Sequence, residues 1–289
     1  MDYGESMKKY APLALVAIII AIVVMSAGCT ANTNQTGNQT GTAGKVQLAG
    51  STSVQPHAEN LAKAFMANNT GVQVLVQGGG SSAGVTAVGE GTADIGMSSR
   101  NLTASEMAKY PDLKPVSICV DGIAFIVHPS NSVSSLTMSQ ARDIFTGNVT
   151  NWAQVGGKNV PINVVNREAG SGTRDGVVSL VLNGGNLTTG GVEQSSTGAV
   201  RSFVAGDPNS IGYISSAEIT PVVKAVSING VAPTFDNIAN RTYKIQRNLL
   251  LITKGSPTGL AKSFMDYVLG SGGQALLKAD GEVPITEAK

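Results

Sequence analysis

Four short segments combine glycine with hydroxyl side chains, and each one follows a predicted strand and precedes a predicted helix. They are residues 50–53, 79–84, 96–100 and 167–173. Small residues let backbone N–H groups approach a ligand closely, hydroxyls add donors, and the start of a helix adds positive potential. Several such turns that meet at one place would bind a compact oxyanion without a metal ion.

Two arginines adjoin these turns. Arg100 ends the third segment and Arg167 opens the fourth, where its guanidinium could hold two oxygens of one anion. A single turn of this composition is usually no more than an ordinary helix cap. Four in one chain, two of them beside an arginine, favour a cleft that binds an oxyanion.

Other chemistries find little support in the residues. A serine hydrolase needs a base, and the chain has only His57, predicted inside a helix, and His128, which precedes a proline. No phosphate-loop or dinucleotide fingerprint stands in its required context, and no cluster has metal-ligand spacing. The net charge of +1 gives no basic surface for nucleic acid. We therefore expect a binding protein without metal or cofactor, not an enzyme, and no nucleic-acid partner.

Short apolar runs alternate with helical stretches from residue 45 onward. Strands are predicted at 46–49, 72–77, 93–97, 116–120, 123–127, 161–165, 211–214 and 248–253. Helices are predicted at 53–68 with Ser53 as cap, from 82, from Thr103 to before Pro111, from Thr137 to Gly147, and at 171–182, 198–205 and 260–269. This alternation predicts a largely parallel sheet with helices on both faces, in two doubly wound lobes. Ligands bind such lobes where strands end and helices begin.

The N-terminus carries an export signal. Lys8 and Lys9 precede an apolar run over residues 11–25, and Cys29 then follows small residues. Residues 1–29 resemble a lipoprotein signal in which Cys29 carries the lipid. The alternative is an uncleaved membrane anchor, although the run is short for a span of about 20 residues. Residues 30–44 are uncharged and polar and predict a flexible tether.

The turn motifs, taken with residues 143–147 and Asn151-Trp152, resemble the PstS phosphate-binding proteins of ABC importers. The resemblance covers residues 45–289. It implies the class II periplasmic-binding-protein fold, with two α/β lobes joined by two crossover strands. We expect lobe I to comprise residues 45–121 and 218–289, and lobe II residues 122–217. The implied function is capture of inorganic phosphate outside the cytoplasm, as a monomer anchored to the cell membrane, for the permease subunits of an importer.

Carried over residue by residue, the resemblance assigns phosphate-binding roles in both lobes. They fall to Thr52, Ser53 and Ser81 in the first lobe, and to Arg167, Ser171, Gly172 and Thr173 in the second. Ser99 and Arg100 complete the expected set, Ser99 at the position where well-known members have a carboxylate that accepts the proton of the anion.

That substitution leaves the proton acceptor to be found, and Asp121 beside the predicted hinge is the candidate. The alternative role of Asp121 is to pair with an arginine or to cap the turn before Gly122. The alternative ligand is another oxyanion: sulfate, molybdate or tungstate. A buried carboxylate acceptor would discriminate, because fully ionised sulfate has no proton to offer it.

Overall fold

The computed structural model describes residues 44–288, in which strands and helices alternate. The strands are β1 (Gly44–Gly50), β2 (Val72–Gly78), β3 (Ile95–Ser98), β4 (Leu113–Val127), β5 (Ser135–Leu136), β6 (Asn163–Arg167), β7 (Val192–Gln194), β8 (Ser210–Ser215), β9 (Lys224–Ile228), β10 (Gln246–Lys254) and β11 (Val283–Pro284). The helices are α1 (Gln55–Asn68), α2 (Ser81–Gly89), α3 (Ala104–Lys109), α4 (Met138–Thr146), α5 (Gly172–Leu180), α6 (Thr197–Gly206), α7 (Phe235–Ala239), α8 (Gly259–Leu269) and α9 (Ser271–Ala279).

The strands form two groups that share β4. In the first group β1 lies parallel to β2 and β3, while β10 runs antiparallel to β3 and β4. In the second group β6 lies parallel to β7 and β8, and β4 runs antiparallel to β8 and β9. The two-lobed α/β architecture is confirmed. Its sheets are mixed and not largely parallel, because the strands that cross between the lobes enter as antiparallel partners.

Strand β4 makes the first crossing. Up to Gly122 it pairs with β10, and from Ile123 it pairs with β8. Two separate strands were predicted here, with Asp121-Gly122 as a break. The strand is continuous because Asp121 and Gly122 pair with Arg247 and Gln246 across the ladder.

Each lobe has its own buried apolar cluster. The first packs residues such as Leu48, Leu61 and Phe264, and the second extends from Ile123 through Trp152. The second cluster also takes in Val226, Ile228, Ile238, Tyr243 and Ile245. The lobe bounds stay a prediction, but this packing leads us to propose that the chain returns to lobe I at the start of β10, later than residue 218.

Helix caps decide which hydroxyls are available to a ligand. Ser171 caps α5, because its Oγ accepts a hydrogen bond from the N–H of Arg174 at 3.3 Å. Thr103 caps α3, and its side chain forms a capping box with Glu106. Ser53 was predicted to cap α1, but that helix begins at Gln55 after Val54. The Ser53 hydroxyl therefore takes part in other contacts.

The predictions for the N-terminus lie outside the described residues: the signal or anchor over 1–29, Cys29, and the tether apart from Gly44. Among residues 44–288, no helix has the length and apolar character needed to cross a membrane.

Candidate functional site

Hydroxyl side chains from both lobes meet between the strand ends. The Oγ of Ser53, after β1, lies 3.0 Å from the Oγ1 of Thr173 at the start of α5. It also lies 3.1 Å from the Oγ1 of Thr197, the first residue of α6. Thr52 reaches Thr197 as well, with 3.4 Å between their Oγ1 atoms. The hydroxyls of Ser53, Thr173 and Thr197 are buried, and they come from three helix starts.

A second pair of hydroxyls borders the first residue of α5. Ser81 and Ser99 place their Oγ atoms 3.3 Å apart, and the N–H of Ser99 donates to the Oγ of Ser81 at 3.1 Å. A Cβ at Gly172 would lie 2.4 Å from the Oγ of Ser81 and 2.6 Å from that of Ser99. Only glycine allows the two lobes to approach this closely.

Arg167 reaches into the hydroxyl cluster from β6 and is almost completely buried, with 1% of its surface exposed. Its Nε and Nη2 donate to the two carboxylate oxygens of Glu168 at 2.7 and 2.8 Å. Its remaining hydrogen bonds go to Thr197 at 3.3 Å and to Thr52 at 3.2 Å. Glu168 thus holds one edge of the guanidinium while the other edge faces the hydroxyls.

Arg247 is a second buried cation at this place, and it was not predicted from the sequence. It lies on β10 at the crossing and donates to Thr173 Oγ1 at 2.9 Å and to Ser53 Oγ at 3.2 Å. One arginine therefore touches hydroxyls of both lobes. Its Nε and Nη2 also lie 2.9 and 2.8 Å from Oδ2 of Asp121.

Asp121 does not present a free carboxylate to the cleft. Its Oδ2 is taken by Arg247, and its Oδ1 accepts from Ser215 Oγ at 2.8 Å and from the N–H of Ser216 at 3.2 Å. Asp121 as proton acceptor stays a prediction, and these contacts do not support it. The contacts match the alternative, in which this aspartate pairs with an arginine.

Arg100 also lies apart from the cluster. Its Nη1 and Nη2 donate to the Glu106 carboxylate, both at 2.7 Å, and its Nε lies 2.7 Å from Oδ2 of Asp175. Consecutive side chains after β3 point in different directions, so Ser99 joins the cluster while Arg100 turns away. The prediction that Arg100 contacts the anion is not supported by these contacts.

The arrangement suits an anion that is small and stripped of water. Each buried arginine is matched by one carboxylate, so no net charge is buried before an anion enters. Residues at or just before the starts of α1, α2, α5 and α6 meet here, and the start of a helix carries partial positive charge. Among residues 44–288, no group of histidine, cysteine and carboxylate side chains is arranged to hold a metal ion.

Signals for the two missed residues were present in the sequence. Thr197 lies in the run Ser195-Ser196-Thr197-Gly198, which has the same glycine and hydroxyl composition as the four recognised turns. Arg247 directly precedes the predicted strand 248–253, which contains the apolar run Leu249, Leu250 and Leu251. A charged side chain at a buried strand is almost always paired, so an acidic partner for Arg247 was to be expected.

Comparisons with known proteins agree with this picture. A family model described as PBP superfamily domain matches residues 35–271. The phosphate-binding protein PstS of Bacillus subtilis (strain 168) is 33% identical over 286 residues, which are 96% of this chain and 95% of that protein. A solved structure from Clostridium perfringens, titled as a phosphate ABC transporter substrate-binding protein with bound phosphate, has a TM-score of 0.81 at 39% identity, over 84% of this chain and 100% of its own. An ABC-type phosphate transport receptor from Vibrio cholerae has a TM-score of 0.69 at 32% identity, over 83% of this chain and 100% of its own.

Proposed function

Because the chain belongs to the PstS phosphate-binding proteins of the PBP superfamily, with the class II periplasmic-binding-protein fold, we propose that it captures inorganic phosphate between its lobes for an ABC importer. The observation that carries this proposal is the meeting of hydroxyls from both lobes around two buried arginines, each neutralised by one carboxylate. Permease subunits of the importer would receive the anion when the lobes open.

The contacts suggest how the anion is held. Phosphate would lie among Thr52, Ser53, Thr173 and Thr197 and would replace the hydrogen bonds that these side chains make with one another. Each of the four hydroxyls can donate a hydrogen bond to a phosphate oxygen. Arg167 and Arg247 would add charge-assisted hydrogen bonds from opposite sides. Ser81, Ser171 and Gly172 would contribute hydroxyl or backbone donors at the starts of α2 and α5.

The proton of the bound anion needs an acceptor other than Asp121. Ser99 is our candidate: it stands where well-known family members have a carboxylate, and it is buried beside Ser81. A hydroxyl accepts as well as donates. It therefore tolerates a protonated oxygen, although it repels sulfate less than a carboxylate would.

We propose that this is a binding protein and not an enzyme. A serine or threonine nucleophile needs a neighbouring base. His57 instead lies against Asp280 and Glu282, and His128 contacts Ser130 outside the cluster. The hydroxyls of the cluster contact one another and the arginines, an arrangement that binds an anion and activates no nucleophile.

The location outside the cytoplasm, the monomeric state and attachment through Cys29 belong to the same proposal. The location and the attachment rest on the N-terminal pattern of basic residues, apolar run and cysteine, and the monomeric state rests on the resemblance to the family. We expect Cys29→Ala to release the chain from membranes, because a lipobox cysteine carries at least two acyl chains. Retention of the full-length variant in the membrane fraction would support the uncleaved anchor.

Isothermal titration of the purified full chain with phosphate, sulfate and molybdate tests the function. We expect phosphate to bind more tightly than the other two anions. Tighter binding of sulfate or molybdate would mean that the physiological ligand is that oxyanion and not phosphate. No binding of any of the three anions would overturn the proposal.

A further inference from the structure

A cavity of about 700 Å³ opens between the lobes beside the hydroxyl cluster. Its inner end is lined by Ser99 and Arg247, which are 1% and 9% exposed and also belong to the cluster. Its outer part is lined by exposed residues, among them Arg241 and Lys244 on the segment between α7 and β10. The cavity therefore connects solvent with two members of the candidate phosphate site.

Arg241 and Lys244 give the outer part a positive charge. Among residues 44–288, neither has a carboxylate within ion-pair distance. Within the described residues, Asp175 is the one carboxylate that lines the cavity, and it is paired with Arg100 on the opposite wall. The inner cation, Arg247, is paired with Asp121. In the part of the chain that the structure describes, Arg241 and Lys244 are therefore the cations of the cavity that remain without a partner.

The backbone at Arg241 points to a role for its side chain. Its φ is 61°, in the left-handed region, where the chain leaves α7. Glycine or asparagine takes this conformation at the end of a helix more readily than arginine does. The two other non-glycine residues with positive φ in the described part are both asparagines, Asn183 and Asn229. An arginine at such a position is unfavourable for the backbone, and its charge at the cavity offers a reason for it.

We propose that this cavity is a recruiting site for phosphate, in which Arg241 and Lys244 attract the anion and pass it to Arg247 and Ser99. The proposal rests on phosphate capture as the function. A cleft lined by charge of one sign concentrates counter-ions and accelerates their association, and this effect weakens steeply with ionic strength. Exposed cations outside the final contact set change the association rate far more than the dissociation rate.

The test is the double variant Arg241→Asn/Lys244→Gln in the full-length protein, purified in a nonionic detergent. Asparagine accepts the left-handed backbone, so the change removes two charges without adding strain. The matched control is Lys45→Gln/Lys63→Gln, which removes two exposed charges on β1 and α1, outside the cavity. Stopped-flow mixing with phosphate gives the association and dissociation rates at about 20 mM and about 500 mM salt.

We expect the cavity variant to associate roughly three- to tenfold more slowly than the control at low salt, with the difference gone at high salt and the dissociation rate within about twofold of wild type. An association rate equal to that of the control would overturn the proposal. So would a dissociation rate raised as much as association is slowed, since that would make the two cations part of the final contact set. If the wild-type chain binds no phosphate at all, the proposed function fails before this comparison is reached.

Discussion

At the scale of single residues, the two ion pairs decide how the site treats a bound anion. Arg247 touches Ser53 and Thr173 from different lobes, and its charge is matched by Asp121, which is fully buried. Truncation of one partner leaves the other as an unpaired buried charge, which is costly. Asp121 therefore positions Arg247 and keeps the site neutral, and this is a different role from accepting a proton.

The roles of Arg247 and Asp121 can be tested by whether substitution of Asp121 restores or further weakens the phosphate binding of an Arg247 variant. Arg247→Gln should weaken phosphate binding by about 2–5 kcal/mol, because it removes a charge-assisted donor and leaves the carboxylate of Asp121 uncompensated beside the anion. Adding Asp121→Asn to that variant should recover part of the loss, since it removes the repulsion. Titration calorimetry of wild type, both single variants and the double variant completes the cycle, with urea unfolding to confirm that each one is folded. A double variant that binds more weakly than Arg247→Gln alone would instead return Asp121 to the role of proton acceptor.

At the residue level, the sequence could indicate which residues lie at the cleft only where the information was local. Thr52, Ser53, Ser81 and Thr173 follow strand ends, so their positions at the cleft could be inferred from the turns themselves. Arg247 and Asp121 are 126 positions apart, and their contact depends on the antiparallel pairing of β4 with β10. No local pattern indicates that pairing, and the direction of the Arg100 side chain after β3 was equally hidden.

At the scale of elements, α5 brings the lobes together at its first turn. Gly172 is the first residue of the helix, and a Cβ at this position would lie against the hydroxyls of Ser81 and Ser99 in the other lobe. The hydroxyls of the first turn can reach the first lobe only if this position carries no side chain.

Gly172→Ala should therefore weaken phosphate binding by about tenfold or more, because the added carbon would stand 2.4 Å from Ser81 Oγ and hold the lobes apart. Unfolding stability should change little, since alanine suits the first turn of a helix. Gly198→Ala is the matched control, because it lies in the first turn of α6 and a Cβ there meets no atom within 4 Å. Calorimetric titration of both variants with phosphate provides the comparison, and equal affinities would show that close approach at Gly172 is not needed.

Helices and strands were predicted well where the period of the apolar residues agreed with the capping residues. Helix α4 is an example, because Gly147 follows its last residue and caps it in the left-handed conformation. Helix α9 was missed because Gly272 and Gly273 lower its helix propensity. Gly273 is required there by packing, since a Cβ would lie 2.4 Å from the carbonyl oxygen of Tyr267 in α8. Tertiary contact thus overrode a local preference that argued against a helix.

At the scale of the whole molecule, a chain of buried polar contacts runs beneath the crossing. His57 of α1 has Nδ1 at 3.2 Å from Asp280 and Nε2 at 2.9 Å from Glu282. Glu282 lies 3.5 Å from Ser215 Oγ, which donates to Asp121. Burial alone would lower the pKa of His57, but its contacts with Asp280 and Glu282 outweigh burial and raise the pKa to about 10. The imidazole is therefore charged at neutral pH.

Glu282 makes folding depend on pH. Burial and repulsion by Asp121 raise its pKa to about 7, in spite of attraction to His57 and Arg247. A carboxyl whose pKa is raised on folding stabilises the protein below its unfolded pKa of about 4.5, and the contribution is lost as pH rises through 7. Glu282→Gln stays neutral and should avoid this loss. The unfolding free energy of the variant relative to wild type should rise by on the order of 3 kcal/mol between pH 4.5 and pH 8.

Urea unfolding of both proteins at the two pH values measures this difference directly. Wild type itself also contains Glu218, whose pKa burial raises to about 7 against the attraction of Arg201. The comparison with the variant removes the contribution of Glu218, because Glu218 is present in both, and it reports on Glu282 together with its contact to His57. A relative stability that does not change with pH would mean that Glu282 is already ionised without cost in the folded protein.

The most direct test of phosphate capture is a crystal structure of the chain grown with saturating phosphate. We expect one phosphate among the hydroxyls of Thr52, Ser53, Thr173 and Thr197, within hydrogen-bond distance of both Arg167 and Arg247. Phosphate bound elsewhere, with Arg167 and Arg247 both out of its reach, would show that the hydroxyl cluster is not the binding site.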